Sequence, residues 1–134
     1  MLGSLCSRKK IHYVGCEVNS DNKGCYEELV RFYNDSSGNN RTFEIHYQGS
    51  ETIHENDDFM KKHRNNIDMV FTSPPYFDRE VYSEDEEQSC RKFPDYQDWL
   101  VGYLERTLQT SFELLKPENY CIINIADIKL PNGL

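Results

Sequence analysis

The 134-residue sequence has no apolar run near the roughly 20 residues that a membrane-spanning helix requires, so it reads as a soluble, globular chain. No two of its cysteines form a Cys-x-x-Cys pair. The five (Cys6, Cys16, Cys25, Cys90 and Cys121) are an odd, scattered set, which argues against a disulfide framework and a zinc site and for reduced, cytoplasmic thiols. No signal peptide is expected, because the apolar stretch from Met1 to Cys6 is followed, not preceded, by Lys9 and Lys10 and lacks a small-residue cleavage site. Positive charge is scarce. Fifteen Lys and Arg against 23 Asp and Glu give a formal charge of -8, the wrong sign for a module that tracks phosphates by itself. Any grip on nucleic acid is therefore expected to be local, or supplied by a further segment or a partner chain. His12, His46, His54 and His63 share no metal-ligand spacing, so no metal site is expected. Repeats and low-complexity tracts are also missing, and the length suits one domain over residues 1–134.

What is present is an alternation of apolar runs and helical patterns. Ile11 to Val18 reads as a buried strand that ends in the turn-formers Asn19 to Asn22, and Gly24 to about Asn34 carries Tyr26, Leu29, Val30 and Tyr33 at helical spacing. Asp35 to Asn40 has loop composition, Thr42 to Gln48 reads as a second strand, and His54 to Arg64 is polar and helix-tolerant. Ile67 to Thr72 is a third strand, stopped by Ser73-Pro74-Pro75, because two successive prolines remove two backbone donors. Phe77 to Phe93, with its acidic block Glu84 to Glu87, reads as a mobile loop. From Asp95, placed as a cap, Tyr96, Trp99, Leu100, Tyr103, Leu104, Leu108, Phe112 and Leu115 form a helical apolar stripe that Pro117 ends. Tyr120 to Ala126 is the fourth strand. The alternation predicts a doubly wound α/β fold, with the four strands parallel in one sheet.

The stretch Thr72-Ser73-Pro74-Pro75-Tyr76-Phe77 carries the most chemical information. It places a rigid turn at the carboxyl end of a strand, where ligands of open α/β sheets bind. An amino group on a heteroaromatic base is a poor nucleophile, because its lone pair is delocalised into the ring. Acceptors that bind its hydrogens pull the nitrogen toward a tetrahedral, reactive geometry. The Ser73 side-chain oxygen and the Pro74 carbonyl suit that role, and Tyr76 suits stacking on the face of an extruded base. Alone, Ser-Pro-Pro-Tyr also fits an ordinary polyproline turn. Glu17, ending the first predicted strand, is placed to accept hydrogen bonds from ribose hydroxyls, and an ordinary solvated carboxylate is its plainer alternative. Ser50 or Glu51, after the second strand, stand where a cofactor's adenine would lie, in a tripeptide that is also a common turn.

Ser73-Pro74-Pro75-Tyr76 resembles the catalytic motif of S-adenosylmethionine-dependent amino-methyltransferases, which is Asp, Asn or Ser followed by Pro-Pro and Tyr or Phe. Looser likenesses follow in family order. Val14 to Asn19 resembles the second-strand motif, Gly49-Ser50-Glu51 the end of the third strand, and Leu115-Lys116-Pro117 the approach to the fifth. The resemblance implies a Rossmann-like methyltransferase fold with a mostly parallel sheet. It further implies S-adenosylmethionine as cofactor, with Glu17, Ser50 and Glu51 binding it and Ser73, Pro74, Pro75 and Tyr76 forming the catalytic turn. The implied reaction is methyl transfer to the amino group of adenine or cytosine in DNA, as in restriction-modification systems, and the serine leans toward cytosine.

The family's glycine loop lies about 20 residues before the acidic residue, which puts it just before Met1. The first strand, central in the family between the second and fourth, and the C-terminal hairpin are thus expected to be missing, with Met1 to Cys6 as the helix after the loop. Taken alone, such a chain is expected to be inactive and to bind the cofactor weakly or not at all. Two alternatives stay open: a methyltransferase of the same fold acting on RNA guanine or on protein glutamine, and a non-catalytic remnant or binding module.

Overall fold

The computed structural model describes residues 2–7, 9–37, 42–80 and 86–125. They form two compact units, residues 1–48 and 49–134. Every ladder observed is parallel, as expected of an α/β chain, but the strands form two two-stranded sheets and not one four-stranded sheet. The physical reason is the pairing itself. Each strand takes its one hydrogen-bonded neighbour from its own unit, and no described segment supplies a ladder joining the two pairs.

In the first unit, helix α1 (Leu2–Cys6) precedes strand β1 (His12–Cys16), helix α2 (Lys23–Ser37) follows, and strand β2 (Thr42–His46) returns alongside β1. Both strands are shorter than their apolar runs suggested. The register pairs His12 with Thr42, Val14 with Glu44 and Cys16 with His46. Side chains alternate across a strand, so these six share one face, and Tyr13, Gly15, Phe43 and Ile45 share the other. Between β1 and α2 the chain makes a 3-10 turn, Ser20–Asn22, capped by the Asn19 side chain, which accepts the Asp21 N–H at 3.0 Å. Helix α2 runs three residues beyond Asn34. Asp35, Ser36 and Ser37, expected in a loop, complete its last turn, since helix already formed propagates more cheaply than it nucleates. Residues 38–40 of that expected loop lie outside the described residues. Val30, on the inward stripe, is buried, as is Leu5 of α1.

The second unit begins with a 3-10 turn, Ile53–Glu55, and helix α3 (Asp57–His63). Asn56 caps α3 by accepting the Phe59 N–H at 3.0 Å. Asp57 and Asp58 fall in its first turn and Lys61 and Lys62 in its last, each sign at the dipole end that favours it. His63 is buried with its ring against Phe59, a packing residue. The helix stops at Arg64, where Asn65 adopts a left-handed φ of 52° and donates its N–H to the Glu113 carbonyl at 3.0 Å.

Strand β3 (Ile67–Thr72) has the bounds its apolar run implied. The expected mobile loop after it is partly structured. Phe77, Gln88 and Ser89 are buried, and Ser89–Lys92 form a short helix, α4, while residues 81–85, including Glu84 and Asp85, lie outside the described residues. Asp95 caps the next helix as expected, accepting the N–H groups of Gln97 at 2.8 Å and Asp98 at 3.4 Å. That helix runs as α5 (Tyr96–Trp99), a π-helical segment (Leu100–Glu105) and α6 (Arg106–Leu114). It ends earlier than Pro117 would require, because Leu115 is already extended. Strand β4 (Leu115–Ile123) contains the proline in a bulge: Ile67 pairs with Leu115 and Met69 with Tyr120, which leaves residues 116–119 out of the ladder. The last residue of the expected fourth strand, Ala126, lies outside the described residues.

The core of this unit is aromatic. Trp99 is 1% exposed and packs with Phe77 and Tyr103, with Phe93, Tyr96, Leu100 and Leu104 around them. Its indole N–H donates to the Ser89 hydroxyl at 3.2 Å, which satisfies its polar tip.

Candidate functional site

The turn after β3 is held at both ends. At its start, the Asn124 backbone N–H donates to the Thr72 carbonyl at 2.9 Å and extends the β3–β4 ladder past the end of both strands. At its end, Phe77 takes a left-handed φ of 49° and donates its N–H to the Pro75 carbonyl at 3.0 Å. Such a φ is costly for a bulky residue, and burial of the ring offsets it. The Phe77 ring sits edge-on to Tyr96 at 5.5 Å and to Trp99 at 5.9 Å. Between the two anchors, Pro74 is fully buried, Pro75 and Tyr76 are half-buried and Ser73 is exposed. The Asn124 side-chain amide reaches back and donates to the Ser73 Oγ at 3.3 Å. The four residues named from the motif thus form one rigid turn at the carboxyl end of a parallel strand.

Ser50 and Glu51 belong to the same unit but are tied into its packing. The Ser50 hydroxyl pairs with that of Thr107 on α6 at 2.9 Å. Glu51 is 3% exposed, its carboxylate lying so close over Gly49 that a Cβ at position 49 would overlap it. Lys92 approaches Glu51 Oε1 to 3.2 Å as an ion pair, but neither carboxylate oxygen receives an aligned hydrogen bond. Lys92 also reaches Glu87 at 3.1 Å. Burial works against the lysine's charge, but its contacts with Glu87 and Glu51 outweigh burial and hold its pKa above the ordinary value.

Glu17 lies in the first unit, just past β1. Its Oε1 accepts the Asn19 N–H at 2.9 Å, and its Oε2 accepts the Tyr26 hydroxyl at 2.5 Å and the Asn22 amide at 3.4 Å. The bond to Glu17 is the main reason the Tyr26 hydroxyl is held well above its usual pKa. The Tyr13 hydroxyl is raised by burial, then by the nearby charges of Cys16 and Glu17. A tyrosine-lined carboxylate therefore ends β1. On the same ladder, Glu44 lies between His46, 2.8 Å from its Oε1, and His12, 3.7 Å from its Oε2.

Sequence patterns did not disclose several of these partners. Tyr26 and Lys92 meet their carboxylates only through folding, across nine and 41 residues of chain. Asn124 left one trace, as a lone polar residue in the run Ile122-Ile123-Asn124-Ile125. Among the described residues no group of three metal-ligating side chains is placed to hold an ion, and no helix is long and apolar enough to cross a membrane. Comparison with protein-family models, with curated proteins and with solved structures gives no match to this chain.

Proposed function

We propose that this chain belongs to an S-adenosylmethionine-dependent methyltransferase that modifies the exocyclic amino group of cytosine or adenine in DNA, in the cytoplasm. The observation that carries the reading is the Ser73-Pro74-Pro75-Tyr76 turn, locked by Phe77 and presenting an exposed serine hydroxyl at the carboxyl end of a parallel strand. The pairing pattern supports it. Both ladders are parallel and each joins consecutive strands through helical segments, as in an α/β sheet of mostly parallel strands.

The residues present fit the cofactor in part. Glu17 ends its strand as an acceptor, and its Oε1, which accepts only the Asn19 N–H, keeps a lone pair for a further donor, whereas Oε2 is filled by Tyr26 and Asn22. The unsatisfied oxygens of Glu51 fit an amino donor such as that of adenine, once the Lys92 side chain moves aside. Ser50 lies beside it. When bound, the cofactor supplies an electrophilic methyl group. The chain's own residues would orient and activate the acceptor. Exposed Ser73 Oγ accepts one hydrogen bond from the amino group, and the Pro74 carbonyl accepts the second once the turn shifts to uncover this buried residue. Pro75 fixes the carbonyl direction, and Tyr76 stacks on the base. DNA is the proposed partner, RNA the alternative, and the net charge of -8 implies that further segments or another chain provide the phosphate grip.

A second reading, a non-catalytic module, is favoured by one observation: Glu17 is engaged by Asn19, Asn22 and Tyr26, donors of its own helix entry. Calorimetric titration with S-adenosylmethionine distinguishes the two. Binding that weakens about tenfold in Glu17→Ala supports the enzyme, and equal binding in both removes Glu17 from the site. Binding absent from the chain alone and still absent when a glycine-loop segment is supplied favours the module. In a protein that binds, Tyr76→Ala should cost about 1 to 3 kcal/mol of base stacking, and unchanged methylation kinetics would count against an extruded base.

A further inference from the structure

A serine hydroxyl has one hydrogen to donate and two lone pairs to accept with, and it rotates freely unless something fixes it. Ser73 is exposed, so packing does not fix it. Asn124 does. Its backbone N–H is held by the Thr72 carbonyl at 2.9 Å, which places it directly across the ladder from the turn, and its side-chain amide donates to Ser73 Oγ at 3.3 Å. Both side chains are exposed, at the carboxyl ends of adjacent parallel strands.

We propose that Asn124 is a positioning and specificity residue for the base. Its amide nitrogen occupies one lone pair of the Ser73 hydroxyl and aims the other at the incoming amino group. Its own carbonyl oxygen adds an acceptor beside Ser73 Oγ. A cluster of acceptors favours a base edge that carries an amino donor over one that carries a keto oxygen, because a keto oxygen facing it would leave acceptors unpaired. This role rests on the reading that Ser73 receives the amino group.

The test is amide-resolved NMR titration of the full chain with deoxycytidine and, separately, deoxyuridine, following the cross-peaks of Ser73, Tyr76 and Phe77 and the Asn124 side-chain amide. The wild type should prefer deoxycytidine. Asn124→Ala and Ser73→Ala should each lower that preference about fivefold, the value of one neutral hydrogen bond, and the double variant should lower it no further. Ser73→Ala should also shift the Asn124 side-chain amide, and retained peak dispersion would show that each variant folds. A purely structural role for Asn124 would leave the base preference unmoved, so full preference in Asn124→Ala beside its loss in Ser73→Ala overturns the proposal while the functional reading stands. Additive losses overturn it as well, since they would make the two residues independent. If neither nucleoside shifts the turn in the wild type, the functional reading fails and takes this role with it, whatever the Asn124 resonance shows.

Discussion

Two parallel ladders of similar make, one per unit, are finished differently. One face of β1 and β2 is polar, with Glu44 held between His12 and His46 and the His12 ring bonded to Thr42 at 2.9 Å. One face of β3 and β4 instead carries Met69, Phe71, Tyr120 and Ile122, all exposed. Core depth runs the other way. The first unit buries Leu5 and Val30, whereas the second closes around Trp99, Phe77 and Tyr103 and further buries Ile53, Phe59, Met60, Leu114 and Leu115. A parallel strand pair is ordinarily covered on both faces. The first unit thus relies on polar contacts to hold a thin core, and the second rests on a true core while showing an apolar sheet face. The candidate site residues follow the same division: the Ser73 to Tyr76 turn grows from the aromatic core, and Glu17, which accepts three hydrogen bonds from its own unit, belongs to the polar one.

Trp99→Ala should break this comparison most forcefully. Removing the centre of the aromatic cluster should cost about 3 to 5 kcal/mol. In urea titrations followed by amide-resolved NMR, residues 49–125 should unfold at much lower denaturant than residues 9–37. Coincident loss of both sets would show that the two units form one cooperative body.

Lys92→Met should come next, at about 2 kcal/mol and confined to the second unit, since it leaves the buried Glu51 carboxylate without its cation and Lys92 is itself partly exposed. The same pair sets a pH dependence. The pKa of Lys92 is raised in the fold, so its contribution is full below the ordinary lysine value of about 10.5 and is lost as pH rises through the folded value. Thermal melts between pH 9 and about 12 should show this alkaline loss in the wild type and a smaller one in Lys92→Met.

Tyr26→Phe should cost the first unit about 1 kcal/mol, because its bond to an ionised carboxylate is only part-buried. Urea midpoints of residues 9–37 would report it, with those of 49–125 unmoved. Glu118→Gly should have the smallest effect, a gain near 0.5 kcal/mol in the second unit. The exposed Glu118 has a left-handed φ of 64°, a strain of about 1 to 2 kcal/mol for a side chain, of which glycine's chain entropy takes back part. A lowered melting temperature would show that the bulge needs the side chain.

Local chemistry made much of this legible in the sequence. The Pro-Pro pair ends β3 because proline cannot donate, Asp95 caps its helix because its carboxylate reaches the next free N–H groups, and the first part of the stripe, with Trp99 and Tyr103, buries because its spacing puts it on one face. The turn Ser73 to Tyr76 was equally visible, since its rigidity is covalent. Beyond the π-helical segment the expected stripe fails, with Phe112 80% exposed and Thr107, Thr110 and Ser111 buried in its place, because that segment shifts the helical period. Tertiary structure alone decided whatever depends on partners far along the chain. It divided the strands into two ladders, folded Phe77 and Ser89 into the core, drew Lys92 to Glu51 and Tyr26 to Glu17, and set the Asn124 amide against the Ser73 hydroxyl. Those contacts form only when separate segments are packed together, and residue spacing carries no record of which buried carboxylate or exposed hydroxyl a distant donor will meet.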